Sequence, residues 1–179
     1  MRAPCALLAC IALAACGKLG PDRVGQVQQA ADSADQVMGG VRTNLTAEGV
    51  RTGYLEADTA FVYENSGHTD LKKIRVTFYT PSGVQTSVLT ADAGWYRFRT
   101  GEMEARGNVV VVRTDGARLL TSALKYDQSK NEVSTTEPYT YDKGDTHGQG
   151  NGFVSDPSFS NVITNRLRGS GGSFRLPGQ

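Results

Sequence analysis

Ile74-Arg75-Val76-Thr77-Phe78-Tyr79 alternates side-chain character without a break. A period of two places Ile74, Val76 and Phe78 on one side of an extended chain, the pattern of a strand with one buried face. Pro81-Ser82-Gly83 then turns the chain, and Val84 to Tyr96 resumes extended structure. Thr100-Gly101 turns again, Gly107-Asn108 precedes Val109-Val110-Val111-Val112, and Asp115-Gly116 is a hairpin signal before Ala117 to Tyr126. Lys130-Asn131 leads into Glu132-Val133-Ser134, and Lys143-Gly144 separates the last two strands. Turn signals recur roughly every 8–12 residues with no helix between them, which predicts a meandering antiparallel all-β domain.

Composition agrees. The chain has 179 residues, a formal net charge of +1, 39% hydrophobic residues and 21 glycines. That apolar share argues against wholesale disorder, and the balanced charge argues against a nucleic-acid binder working through a basic field. An internal repeat points the same way: at an offset of thirty residues, Ala93-Gly94-Trp95-Tyr96 lies over Ala123-Leu124-Lys125-Tyr126, and Gly101-Glu102-Met103 over Asn131-Glu132-Val133. A weaker copy runs from Ala57 to Tyr63. Units of two or three short strands cannot bury an apolar face alone and must stack.

The start of the chain has a different character. Met1-Arg2 precedes an apolar run from Ala3 to Ala15, too short to span a bilayer and suited to a secretory leader. Leu13-Ala14-Ala15-Cys16 is similar to the bacterial lipobox, which implies cleavage before Cys16 and diacylglycerol on its thiol; an ordinary leader cut after Ala15 is the alternative. Two or three acyl chains hold a protein durably, whereas one gives only reversible binding. Cys5, Cys10 and Cys16 are the three cysteines, so no thiol or disulfide is left for catalysis or metal binding in the mature chain. The partition expected is a leader at 1–15, an acylated anchor and linker at 16–46, a β-domain at 47–165 and a disordered tail at 166–179. Val24, Val27, Ala31, Ala34 and Met38 permit a short amphipathic helix in the linker, ended by Gly39-Gly40; a flexible spacer fits equally.

Leu55-Glu56-Ala57-Asp58, Ala105-Arg106-Gly107-Asn108-Val109-Val110-Val111, Asp115-Gly116-Ala117-Arg118-Leu119, Leu124-Lys125-Tyr126-Asp127 and residues Gly148 to Asp156 occur in an order that resembles the LptC/LptA (OstA-like) family of lipopolysaccharide-transport proteins. The resemblance spans about residues 47–160. It implies a twisted, open β-jelly-roll with a V-shaped groove, stacked edge to edge with similar domains into a periplasmic bridge. With a single domain and an N-terminal attachment, the chain looks more like the LptC member. The partners implied are lipopolysaccharide, the inner-membrane lipopolysaccharide ABC transporter, an LptA-like β-jelly-roll protein and, through the acyl anchor, a membrane, with the inner membrane favoured. LptC is usually held by a transmembrane helix, and an acylated cysteine departs from that pattern.

Acyl chains need a dry apolar trough, and parity nominates Ile74, Val76, Phe78, Tyr96, Phe98, Met103, Val109, Val111, Leu119, Leu124, Tyr126 and Val133 to line it, with Cys16 as the lipid anchor. A closed sandwich core would use the same residues; a core closes at its mouth and a groove stays open. Parity also inverts across a bulge. The last strands, near Glu137 to Asp145 and Gly150 to Ser155, are expected to offer a docking edge to the next domain, with the strand near Thr46 to Tyr54 toward the transporter; an edge covered by the tail is the alternative. Arg97, Arg99, Arg106, Arg113 and Arg118 are candidates to meet lipid phosphates at the rim, or belong to a solvated face. His68 and His147 lack ligand spacing, and no nucleophile–base pair is apparent, so neither catalysis, metal nor cofactor is expected. The competing function is an envelope assembly lipoprotein that binds partners by strand addition and carries no lipid.

Overall fold

A computed structural model of the protein describes residues 33–164 and 167–170. Strands β1 (Gln36–Ala47), β2 (Val50–Tyr63), β3 (His68–Tyr79), β4 (Gln85–Arg97), β5 (Glu102–Arg113), β6 (Arg118–Asp127), β7 (Glu132–Lys143) and β8 (Thr146–Ser155) follow one another with short turns. They are joined by β9 (Val162–Thr164) and β10 (Leu167–Ser170). The sheet runs in order from β1 to β8, every neighbour antiparallel, and both β9 and β10 pair with β8. The antiparallel all-β meander expected from the turn spacing, and the open jelly-roll implied by the resemblance, is the architecture observed.

A crease crosses this long sheet and makes it enclose something. Gly40 and Lys73 take φ values of 62° and 50° in mid-strand, and Gly107, Asn108 and Gly152 take 73°, 46° and 69°. Pairing slips beside the same line, between Thr90 and Ala93, Arg106 and Val109, Thr121 and Lys125, and Thr135 and Pro138. Bulges of this kind bend a strand and raise its twist. Gly107 is suited to its place because a side chain there would meet both a left-handed backbone and Asp92, whose Cβ lies 3.3 Å from where its own Cβ would stand.

Bulging frees main-chain groups, which hydroxyls then satisfy. Thr121 Oγ1 donates to the Pro138 carbonyl at 3.0 Å, Thr135 Oγ1 to the Ala123 carbonyl at 2.7 Å, and Thr164 Oγ1 to the Gly152 carbonyl at 2.9 Å. Outside, Lys73 Nζ reaches Asp92 Oδ1 at 2.7 Å, and Asn108 Nδ2 donates to Asp92 Oδ2 at 2.5 Å.

Bent along this line, the sheet closes over its own inner face. Phe78 of β3 meets Tyr126 of β6 edge-on with ring centroids 5.6 Å apart, although β3 and β6 are not neighbours in the sheet. The core between the halves collects the inward residues of every strand from β1 to β8, among them Leu45, Leu55, Leu71, Leu89, Val109 and Phe153. Each fully buried side chain of this size contributes about 1.5–3 kcal/mol.

Two boundaries differ from those read in the sequence. The sheet starts at Gln36 rather than 47, because Gly39-Gly40 does not end a helix there; both lie inside β1. Thr46 to Tyr54 is the β1–β2 hairpin rather than an edge strand, and the N-terminal edge is β1 itself. Leu167–Ser170, placed in a disordered tail, pairs with β8 as β10. The edge of β8 is therefore covered by the chain's own C-terminal segment, the alternative left open above. The leader, Cys16, and Val24, Val27 and Ala31 of the helix read in the linker lie outside the described residues, whereas Met38 lies in β1. Among the described residues, no helix is long and apolar enough to cross a membrane.

Candidate functional site

The inner face is one continuous apolar surface. Ile74, Val76, Phe78, Met103, Val109, Val111, Leu119, Leu124, Tyr126 and Val133 are all buried in it, as parity placed them. Tyr96 packs against its border, half-buried. Phe98 does not belong to it: β4 ends at Arg97, and Phe98 stands in the following turn, 57% exposed. Alternation says which face a residue takes but not where the strand stops. Tyr139, Phe153 and Phe159 also belong to the cluster and were not singled out in the sequence. Phe159 carries no periodic signal, since it lies in the loop Asp156-Pro157-Ser158-Phe159.

At the strand ends beside this buried surface, a cleft faces solvent. A cleft of about 770 Å³ lies between the β1–β2 hairpin (Thr46, Val50, Thr52), Pro81, the β4–β5 turn (Phe98 to Gly101) and the β6–β7 turn (Gln128 to Asn131). Aromatic rings border it. Tyr96 and Phe98 stack edge-on at 4.9 Å, and the Tyr126 hydroxyl lies 3.4 Å from the hydroxyl of Thr52, on the cleft wall. Burial pushes both phenols above their ordinary range, Tyr96 further so by the nearby Tyr126 and Tyr126 by Asp127, with the Thr52 hydrogen bond opposing. Both therefore stay protonated and neutral, as suits the border of an apolar trough.

The other end is closed. Residues 156–161 fold across it, Phe159 is buried, and its ring meets Phe153 at 6.2 Å. Ser87 Oγ, fully buried in β4, donates to the Pro157 carbonyl at 3.0 Å, and Arg113 Nη1 donates to the Phe159 carbonyl at 2.5 Å. Beneath the loop a small apolar gap of about 10 Å³ remains between Val111, Leu119, Tyr141 and Phe159.

The rim arginines divide by partner. Arg97 pairs with Glu102 at 3.3 Å, Arg106 with Glu104 at 2.6 Å and Arg113 with Asp115 at 3.2 Å. Arg99 lines the open cleft, and Arg118 borders the small gap. His68 Nε2 bonds Asp70 at 2.8 Å beside the Trp95 ring, and His147 Nδ1 bonds Asp142 at 2.6 Å. Among the described residues, no group of three or more His, Cys, Asp or Glu is placed to hold a metal ion.

Comparison with known proteins places this architecture. No curated protein matches the chain. Among solved structures it is similar to LptH of Pseudomonas aeruginosa, described as the LptA-homologous periplasmic component of the conserved lipopolysaccharide transport device. The TM-score is 0.52 at 13% identity, covering 66% of this chain and 93% of that one. At that identity the likeness concerns the fold. A family profile described as lipopolysaccharide-assembly, LptC-related, matches residues 5–158. With most of its length matched, the chain belongs to the LptC-related lipopolysaccharide-assembly family.

Proposed function

We propose that this chain is a lipopolysaccharide-binding component of the periplasmic transport bridge. In this reading it takes lipid from the inner-membrane ABC transporter and passes it through its apolar trough to the next β-jelly-roll protein. The observation that carries the reading is a continuous apolar inner face beside a solvent-facing cleft, joined to it where Tyr126 meets Thr52. An acyl chain entering there exchanges side-chain contacts for methylene contacts at about 0.8 kcal/mol per buried methylene, so the trough opens for lipid at little net cost. Docking uses sheet edges: among the described residues, β1 offers an unpaired edge of 12 residues for main-chain strand addition. The reaction class is carriage, without catalysis or cofactor.

Photocrosslinking tests this reading. With benzoylphenylalanine in place of Tyr126, irradiated cells are expected to yield lipopolysaccharide adducts. Adducts to partner proteins alone would instead support the second reading, an assembly lipoprotein without lipid, which the tight mutual packing of the inner face favours.

The anchor belongs to the same proposal. Cys16 carries the acyl groups and holds the domain to the inner membrane, as the lipobox-like Leu13-Ala14-Ala15-Cys16 supports. The Cys16→Ser variant is expected to leave the membrane fraction; retention there would refute the acyl anchor.

A further inference from the structure

Resting on the carrier reading above, we infer that the trough has a second acyl-chain portal at its closed end, stoppered by Phe159 and opened when the loop of residues 156–161 swings outward. The inner face does not end where the loop closes it. Val111 of β5, Leu119 of β6 and Tyr141 of β7 continue the apolar lining up to Phe159, with a gap of about 10 Å³ between them. What blocks the way is therefore a loop, not the sheet.

That loop is built as a unit that moves without unravelling. The Asp156 carboxylate accepts from the backbone N–H of Ser158 at 3.0 Å, Ser160 at 3.1 Å and Asn161 at 2.8 Å, and from the Ser158 hydroxyl. The Phe159 N–H donates to the Asp156 carbonyl at 2.9 Å. These bonds all lie inside the loop. Ties to the rest of the protein include the Arg113 and Ser87 bonds, the ring contact with Phe153 and the burial of Pro157 and Phe159 against the core.

The closed state also carries local strain. Phe159 sits at φ +53°, a left-handed conformation that a bulky residue seldom adopts and that persists only where its surroundings impose it. Near it, the hydroxyls of Tyr139, whose ring stacks on Phe153 at 5.1 Å, and of Ser155, the last residue of β8, are buried with no hydrogen-bond partner. The backbone strain disfavours the closed state relative to one in which the loop is lifted. The ligand class is a long saturated acyl chain, which would replace the Phe159 ring against Val111, Leu119 and Phe153.

The test uses the full chain and an anthroyloxy-labelled stearic acid, with equilibrium binding and release followed by fluorescence. Phe159→Gly removes the ring and suits the backbone; release is expected to quicken roughly tenfold, most of the change falling on the off-rate. Phe159→Leu, which keeps bulk, is expected to restore slow release. Arg113→Ala loosens the loop without emptying the interior and serves where Phe159→Gly folds poorly; it is expected to quicken release to a smaller degree. Probe binding with release unchanged in both Phe159→Gly and Arg113→Ala overturns the portal and leaves the carrier intact. No probe binding by the wild-type chain overturns the carrier and the portal together.

Discussion

The two ends of the trough are made of different material. At the open end, hairpins of the sheet itself stand apart around Thr52, Phe98 and Gly101. At the closed end, a loop outside the meander lies across the gap and holds itself together through Asp156. The two edges differ in parallel: among the described residues, β1 has no partner along its outer side, whereas β8 is covered by β9 and β10. Under the carrier reading proposed above, this difference between the ends would give the passage a direction.

The largest effect that sharpens the comparison is a pair of truncations. Phe78→Ala removes a ring from the middle of the fold, where it meets Tyr126, and is expected to cost about 3–5 kcal/mol in denaturant unfolding. Phe159→Ala removes an equally large ring but relieves little-favoured backbone only in part, and is expected to cost about 1–3 kcal/mol. Equal losses would mean that the loop is as integral to the fold as β3, and the contrast between the ends would fail.

A smaller effect concerns acid. Burial raises the Asp156 pKa, but the hydrogen bonds from Ser158 and Asn161 outweigh it and hold the carboxyl below its ordinary 3.8. Because the folded value is depressed, the clamp contributes fully above 3.8 and is lost as pH falls through the folded value. The amide signals of Ser160 and Asn161 are thus expected to titrate with a midpoint under 3.8, and those of Ser129 and Lys130 at the open end with Asp127 at about 2. A Ser160 and Asn161 midpoint at or above 3.8 would mean that burial dominates and that the loop lacks its internal clamp.

Much of this was legible in the chain. Alternation at Ile74, Val76 and Phe78 gave the inner face directly, because a strand's side chains cannot choose sides independently. The repeat was legible too: Tyr96 faces Met103 across β4 and β5, as Tyr126 faces Val133 across β6 and β7. Gly39-Gly40 misled because a positive-φ glycine serves a turn, a helix end or a strand crease equally well, and only the pairing partner decides which. The same ambiguity placed Phe98 in a strand that had already ended. Leu167–Ser170 was unreadable for another reason: main-chain hydrogen bonds hold β10 to β8, and these carry no signature in side-chain types. Phe159 escaped because a stopper is specified by position in space, not by rhythm along the chain.

If the chain carries lipid as proposed, the shared crease has a consequence for cargo. Since bends in adjacent strands line up, the two halves of the sheet hang from a common spine, and no strand can part from its opposite number while its neighbours stay shut. Bore width is then governed by one angle belonging to the whole sheet. A lipid with more or thicker tails would be met by spreading that angle, much as a book opens wider, and every level along the passage would dilate together.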